Sequence, residues 1–529
     1  MAMAKRIKTM KSDSPSGVRD VSESALAEIL QSGDTSVIFE LLISNARQLA
    51  ATGKGTQLIK LAPFMGDESE SGLAIRKGFT MLGHVVNLEF DVAEAMAHEL
   101  LIEEKNNPVF DFLEKITNYV IAICNFARGN LVDAKLNIHS ALSSPLITSD
   151  LGDTDKINLY RMLCAICMVE SDEAGLLENY QAAKKIAENS QEGDFGVHLM
   201  AIKSMVLHEE GQFSKAFDLV KNVIANSDIH GYTGINSALD CKYILARCYI
   251  AFGKPEAGIE ILEEIKEYAS NFKIFTWYVA AEGLIIRSLI ELCQTREALN
   301  KIIELREFLS KFPKQYDLAW LTDVAELFVR YRLNDYHRAK EIATRTRQTY
   351  YVKQVIQAVE ATKGKEVALE EVMALDESTP RKKIWKYMYL SEFPATKNFA
   401  PKEYMRKALV LGEETGARDI FIRQSNYHHN LIHEIASEEK SYFLEELSRD
   451  CIKRVNLKKQ SQVVNNESLT SREIQVLKHL ATGKSINQIG KELHISQNTM
   501  KTHLRNIYRK LEVDGRKSAV VKASDNFLI

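Results

Sequence analysis

The chain has 529 residues, 45% hydrophobic and 26% charged, too long for one compact domain and too apolar for a disordered chain. Its net charge of −3 is uneven: from Val463 to Ile529 there are 11 Lys and Arg against 6 Asp and Glu, a surplus of +5, and the rest carries −8. A basic tail on an acidic body excludes a polyanion-binding surface along the whole length and points only the tail at one.

The first segment, "MAMAKRIKTMKSDSPSG", is basic and has no apolar core behind it, so residues 1–20 read as a short disordered arm and not as a secretory signal. No apolar run is long enough to cross a bilayer, and no membrane partner is expected. The seven cysteines are odd in number and lack small-domain spacing. They read as reduced core thiols of a cytoplasmic protein.

Residues 21–365 carry an internal repeat. With nine prolines and little strand-like alternation, apolar residues recur at helical spacing almost throughout. The copies "GNLVDAKLNIHSAL", "GQFSKAFDLVKNVI", "GKPEAGIEILEEI", "QTREALNKIIELREFL" and "NDYHRAKEIATRT" align on Ala134, Ala216, Ala257, Ala298 and Ala339. Fainter copies add Ala93 and Ala174, so the successive gaps are 41, 40, 42, 41, 41 and 41 residues. That length is two helices and two turns, a hairpin that buries its apolar face only by stacking on its neighbours. The Gly or Asn that opens most copies predicts a left-handed end to the first helix, and the alanine lets the second helix approach closely. The expected fold is all-α, a tetratricopeptide-like solenoid of helical hairpins, with helices longer than the usual 34-residue repeat allows.

The period fades after Ala339. Residues 366–455 read as irregular helical pairs closing the solenoid, and the polar stretch 456–467 as a flexible linker. Two pairs of tryptophan-bearing and cysteine-bearing motifs invite sharper readings. Trp277 and Trp320 fit plain packing on first helices, and Cys164 and Cys167 sit in an apolar helix with no second pair at ligand spacing. His428, His429 and His433 lack an obvious third ligand. We therefore expect no metal, no cofactor and no catalytic constellation, hence no enzyme.

Residues 468–529 contain three helix-start signals in order. Thr470 with Glu473 and Ser485 with Gln488 are capping boxes, and Ser496 caps a third helix. The expected helices run from Ser471 to Ala481, from Ile486 to Leu493 and onward from Ser496, with a fourth from about Gly515. On the third, Met500, Leu504, Ile507 and Leu511 form one apolar face, predicted to pack on Leu477, Leu480, Ile489, Leu493 and Ile495. Lys501, Arg505 and Arg509 recur every four residues on another face, with Asn498 and Thr502 beside them. Two helices joined by so short a turn, the second with a basic stripe, describe a helix-turn-helix.

Through "LTSREIQVLKHLATGKS", "ISQNTMKTH", "IYRKLEV" and "GRKSAV", this segment resembles the LuxR-type, or GerE-type, helix-turn-helix of bacterial regulators. It departs from the pattern at Ile486, where Asn is usual, and at Gly490, where Ala is usual. "TMKTHLRNIYRKLEV" especially resembles the MalT-type regulators, whose DNA-binding domain also follows a helical superhelix. No GxxxxGK followed by Ser or Thr is found, so their ATP-dependent switch is not expected.

The resemblance implies base reading by Lys501, Thr502 and Arg505. It implies backbone or groove contacts by Lys484, Ser485, Asn487, Thr499, His503, Arg509, Lys510 and Arg516, the last with the alternative of bracing the fourth helix. It also implies an activator that binds double-stranded DNA as a homodimer and recruits RNA polymerase. The body would sense a small molecule or a protein or peptide effector and gate DNA binding or recruitment. The alternative is a protein-interaction scaffold that the C-terminal domain localises to DNA.

Overall fold

The structure is a computed structural model that describes residues 55–64, 68–103, 110–143, 153–190, 196–229, 236–311, 318–333, 335–348, 352–353, 356, 369–396, 399–464, 469–511 and 513–525. The expected arm at 1–20 and the first residues of the repeat region lie outside them. The described residues form twenty-five α-helices and no β-strand, with one isolated bridge between Thr396 and Phe399. None of these helices is long and apolar enough to cross a membrane.

After a short α1 (Gly55–Leu61), seven hairpins follow. They are α2 (Glu70–Val86) with α3 (Phe90–Glu103), α4 (Phe110–Arg128) with α5 (Leu131–Ser143), and α6 (Asp153–Glu170) with α7 (Glu173–Asn189). Next come α8 (Gly196–Glu210) with α9 (Phe213–Ile229), α10 (Asn236–Ala251) with α11 (Pro255–Asn271), α12 (Phe275–Glu291) with α13 (Thr295–Ser310), and α14 (Ala319–Arg332) with α15 (Tyr336–Arg345).

The turns inside the first six hairpins share one design. Leu88, Gly129, Ser171, Gly211, Gly253 and Cys293 all have positive φ. The amide of the next residue reaches back five positions, as from Asn130 to Asn125 and from Gln212 to Leu207, at 2.8–2.9 Å. This is the Schellman ending, which satisfies carbonyls the helix leaves free. Three of these six residues are not glycine, so the left-handed position is imposed by stacking as well as by residue type.

The turn also sets the register of the repeat and corrects two positions. Four residues beyond each cap stand Ala93, Ala134, Ala216, Ala298 and Ala339, all fully buried. In α7 and α11 that place belongs to Leu176 and Gly258, not to Ala174 and Ala257. Ala174 is exposed. A Cβ on Gly258 would stand 2.9 Å from the Ala246 carbonyl, so α11 approaches α10 too closely for alanine.

The chain divides into two compact units, 1–288 with 304–420 and 289–303 with 421–529. Within the first, early turns meet elements far along the chain. Lys273 pairs with Asp91 at 3.1 Å, Arg347 with Glu170 at 2.6 Å, and Arg381 with Glu209 at 2.8 Å. A Cβ on Gly129 would lie 2.2 Å from Leu318, and the Arg418 amide donates to the Ala251 carbonyl at 2.9 Å. Each partner lies roughly four repeats further on, so this unit coils over itself.

In the region read as closing the solenoid are α16 (Leu369–Met373), α17 (Pro380–Leu390), α18 (Pro401–Thr415), α19 (Asp419–Arg423), α20 (Ser425–Glu439) and α21 (Tyr442–Val464). Here the sequence reading needs correction, because α21 runs on through Val464 and most of the stretch read as a linker is helical. Its polar residues hide a periodicity that the preceding buried Leu444, Leu447, Cys451 and Val455 establish. Trp277 and Trp320 are buried, as expected for packing. Six of the seven cysteines are buried and all are free thiols. His428 is buried, His429 Nδ1 donates to the Ser425 carbonyl, and His433 Nδ1 pairs with the Ser448 hydroxyl.

Candidate nucleic-acid interface

The last four helices are α22 (Ser471–Ala481), α23 (Ile486–Glu492), α24 (Gln497–Lys510) and α25 (Arg516–Asp525). Their starts are fixed by side chains. The Thr470 hydroxyl accepts from the Glu473 amide at 3.2 Å while the Glu473 carboxylate accepts from the Thr470 amide at 2.7 Å. Ser485 and Gln488 repeat this reciprocal cap on α23, and Ser496 accepts from the Thr499 amide on α24. Gly483, with φ of +76°, makes the left-handed exit from α22.

Met500, Leu504, Ile507 and Leu511 pack with Val476, Leu477, Leu480, Ile489, Ala519 and Ala523, and the partly buried Leu493 and Ile495 cover them. That cluster pins one face of α24 and turns the opposite face to solvent, where Lys501, Thr502, Arg505 and Arg509 are exposed. Thr502 donates its hydroxyl to the Asn498 carbonyl at 3.1 Å, which leaves its oxygen able to accept. His503 is half-buried beside this row.

The remaining predicted contacts divide by what already holds them. Ser485 and Thr499 are engaged in caps, and the Asn487 side-chain Oδ1 accepts from the Gln497 side-chain amide at 2.7 Å. Lys484 donates to both oxygens of Glu492, at 2.7 and 2.9 Å, on the surface. Arg516 takes the bracing role: Nε and Nη2 both donate to the Leu480 carbonyl, at 3.1 and 2.6 Å, and tie α25 to the end of α22.

Lys510 departs most from the sequence reading. Its ammonium lies 2.8 Å from Glu473, whose side chain is 3% exposed, so it is spent inside the domain and not held out to a phosphate. Burial pushes the Glu473 carboxyl up, but the bonds from Lys510 and Thr470 outweigh it and hold it below the usual carboxylate range. Sequence reasoning also missed Arg472, which donates to the Leu493 carbonyl and closes the end of α23. Its place two residues after the cap Thr470 was the available signal.

Residues 467–523 match the family described as bacterial regulatory proteins, luxR family. The C-terminal domain is of the LuxR family. Over 64 residues the chain is 47% identical to the transcriptional regulatory protein LiaR of Bacillus subtilis, covering 12% of this chain and 30% of that protein. It is 38% identical over 98 residues to the HTH-type transcriptional regulator MalT of Vibrio cholerae, 18% of this chain and 10% of that one. A nitrate/nitrite response regulator homolog of Haemophilus influenzae is 44% identical over 72 residues, 14% of this chain and 35% of its own. The chain thus spans between a tenth and about a third of the length of these relatives. The apo form of RapI covers 73% of this chain and 99% of its own, with a TM-score of 0.29 and 12% identity, a likeness too low to carry an argument.

Proposed function

We propose that this protein is a transcription regulator that lays α24 in the major groove of double-stranded DNA. Lys501, Thr502 and Arg505 read base edges there, while Arg509, Lys484 and the half-buried His503 meet the backbone. The carrying observation is the division of α24 into a face buried on α22 and α23 and an exposed face bearing Lys501, Thr502 and Arg505. Cations spaced four apart repel one another on a free helix, whereas phosphates and guanine edges give them partners. The protein acts as a homodimer on paired half-sites, with α25 and its exposed Val521 at the contact between copies. The repeat body receives a small-molecule, protein or peptide effector and gates DNA binding or recruitment of RNA polymerase, and the protein acts as an activator. Support for that role comes from the size of the hairpin array, since solenoids present long concave surfaces.

The test is genome-wide mapping of bound sites, followed by the Lys501→Ala, Arg505→Ala double variant. Binding to the mapped sites should fall at least tenfold relative to unrelated DNA. Undiminished footprints in that variant would overturn the reading.

A further inference from the structure

The exposed row on α24 begins one turn before its cations. Gln497, Lys501 and Arg505 stand four residues apart on one ridge of the helix, and all three are exposed. Across the helix from them Met500, Leu504 and Ile507 are buried, so the ridge cannot roll inward. Gln497 is also the first residue of α24. In a helix-turn-helix, the first residues of the second helix lie closest to the base edges.

Gln497 is tethered. Its Nε2 donates to Asn487 Oδ1 at 2.7 Å, a bond that reaches from α24 to the start of α23 on the exposed surface. Among the described residues this is the single hydrogen bond made by either side chain. An amide nitrogen that gives one hydrogen to Asn487 keeps a second, and Gln497 Oε1 keeps its lone pairs. A free glutamine loses rotamer freedom when it binds, whereas a tethered one has already given that freedom up.

A donor and an acceptor side by side on one amide select among base edges. In the major groove adenine offers N7 as an acceptor and N6–H as a donor, whereas guanine offers two acceptors, N7 and O6. Lys501 and Arg505 only donate, and therefore suit guanine. Gln497 can donate to N7 and accept from N6–H at once, which guanine does not allow.

We propose that Gln497 is a fourth base-reading residue, which reads an adenine adjoining the bases read by Lys501, and that Asn487 is a positioning residue that holds the Gln497 amide ready. This rests on the reading of α24 as the helix that lies in the groove, and adds a specificity determinant to it.

The test is selection by the full chain from duplex DNA carrying a randomised stretch, repeated with substituted chains. The unsubstituted chain should enrich adenine at one position of each half-site. Gln497→Ala should lose that preference at least fivefold, at that position alone, with the thermal transition retained. Placing 7-deazaadenine there removes the N7 acceptor; it should weaken the unsubstituted chain at least threefold and leave Gln497→Ala unaffected. Asn487→Ala should lower the adenine preference at least twofold. Asn487→Asp keeps an acceptor for Gln497 and adds a negative charge, so it should weaken all sequences alike and keep the preference. Equal weakening of every sequence by Gln497→Ala, or a 7-deazaadenine effect that survives in that variant, would overturn the proposal. The DNA reading would still stand if the Lys501→Ala, Arg505→Ala double variant lost preferences at other positions. Enrichment of no sequence by the unsubstituted chain would overturn both.

Discussion

Lys510 and Glu473 form an ion pair inside the C-terminal domain, 2.8 Å apart, and tie the end of the exposed basic helix to the first turn of α22. The same carboxylate closes the Thr470 cap, so one buried group holds two helices and a helix start together. Removing Lys510 strands that carboxylate, at a cost of about 3–5 kcal/mol for a pair broken on one side. Lys510→Ala should therefore raise hydrogen exchange in α22 and α24 by several orders of magnitude, and Lys510→Arg should largely spare it. Unchanged protection, with a uniform loss of DNA affinity, would return Lys510 to the phosphate-contact role.

The pair also predicts a response to acid. Because the folded-state carboxyl of Glu473 is depressed, its stabilisation is complete above the unfolded value of about 4.3 and is lost as pH falls through the lower folded value. Calorimetry of the full chain should show this domain's transition level between about pH 7 and pH 5 and falling below about pH 4. Glu473→Gln should lower the transition at neutral pH and flatten the acid limb.

On the proposed DNA face, Glu492 holds Lys484 and also lies 3.1 Å from His479. It places a negative charge where a phosphate would approach. Glu492→Gln should tighten binding to all sequences alike and steepen the dependence of log affinity on log salt by about 0.9, one contact's worth. Fluorescence anisotropy across a salt series reads both quantities, and a change confined to one sequence would contradict the assignment.

Gly129 and Gly483 share a left-handed φ, of +87° and +76°, but differ in surroundings. A Cβ on Gly483 meets nothing within 4 Å, whereas one on Gly129 would overlap Leu318. Gly483→Ala should cost only the backbone term, about 1–2 kcal/mol. Gly129→Ala adds overpacking of about 1–3 kcal/mol and should loosen both α4 and α14. Chemical denaturation with local hydrogen exchange separates the two.

Where function depends on local chemistry, the sequence was legible. Thr470, Ser485 and Ser496 announced three helix starts, and the apolar row from Met500 to Leu511 oriented α24, because caps and periodicity act over one turn. Ala174 and Ala257 misled, since composition alone cannot tell which of several small residues the turn places against its partner. Leu88, Ser171 and Cys293 gave no sign of left-handed backbone, which the stacked hairpins impose on them. Lys510 reads as one more surface cation until Glu473, 37 positions earlier, is brought beneath it. The Arg161–Asp240 pair, 79 positions apart, is likewise a product of tertiary packing.

The bonds between early turns and elements four repeats later change what kind of object the array is. A stack whose units touch only their neighbours can fray from either end, one hairpin at a time. Here Asp91, Glu170 and Glu209 are each fastened to residues more than 165 positions away, so releasing a terminal hairpin also frees the coil it leans on. Such an array melts as a block and folds slowly, and strain introduced at one hairpin is felt a full coil away, which a row of independent hairpins has no means to transmit.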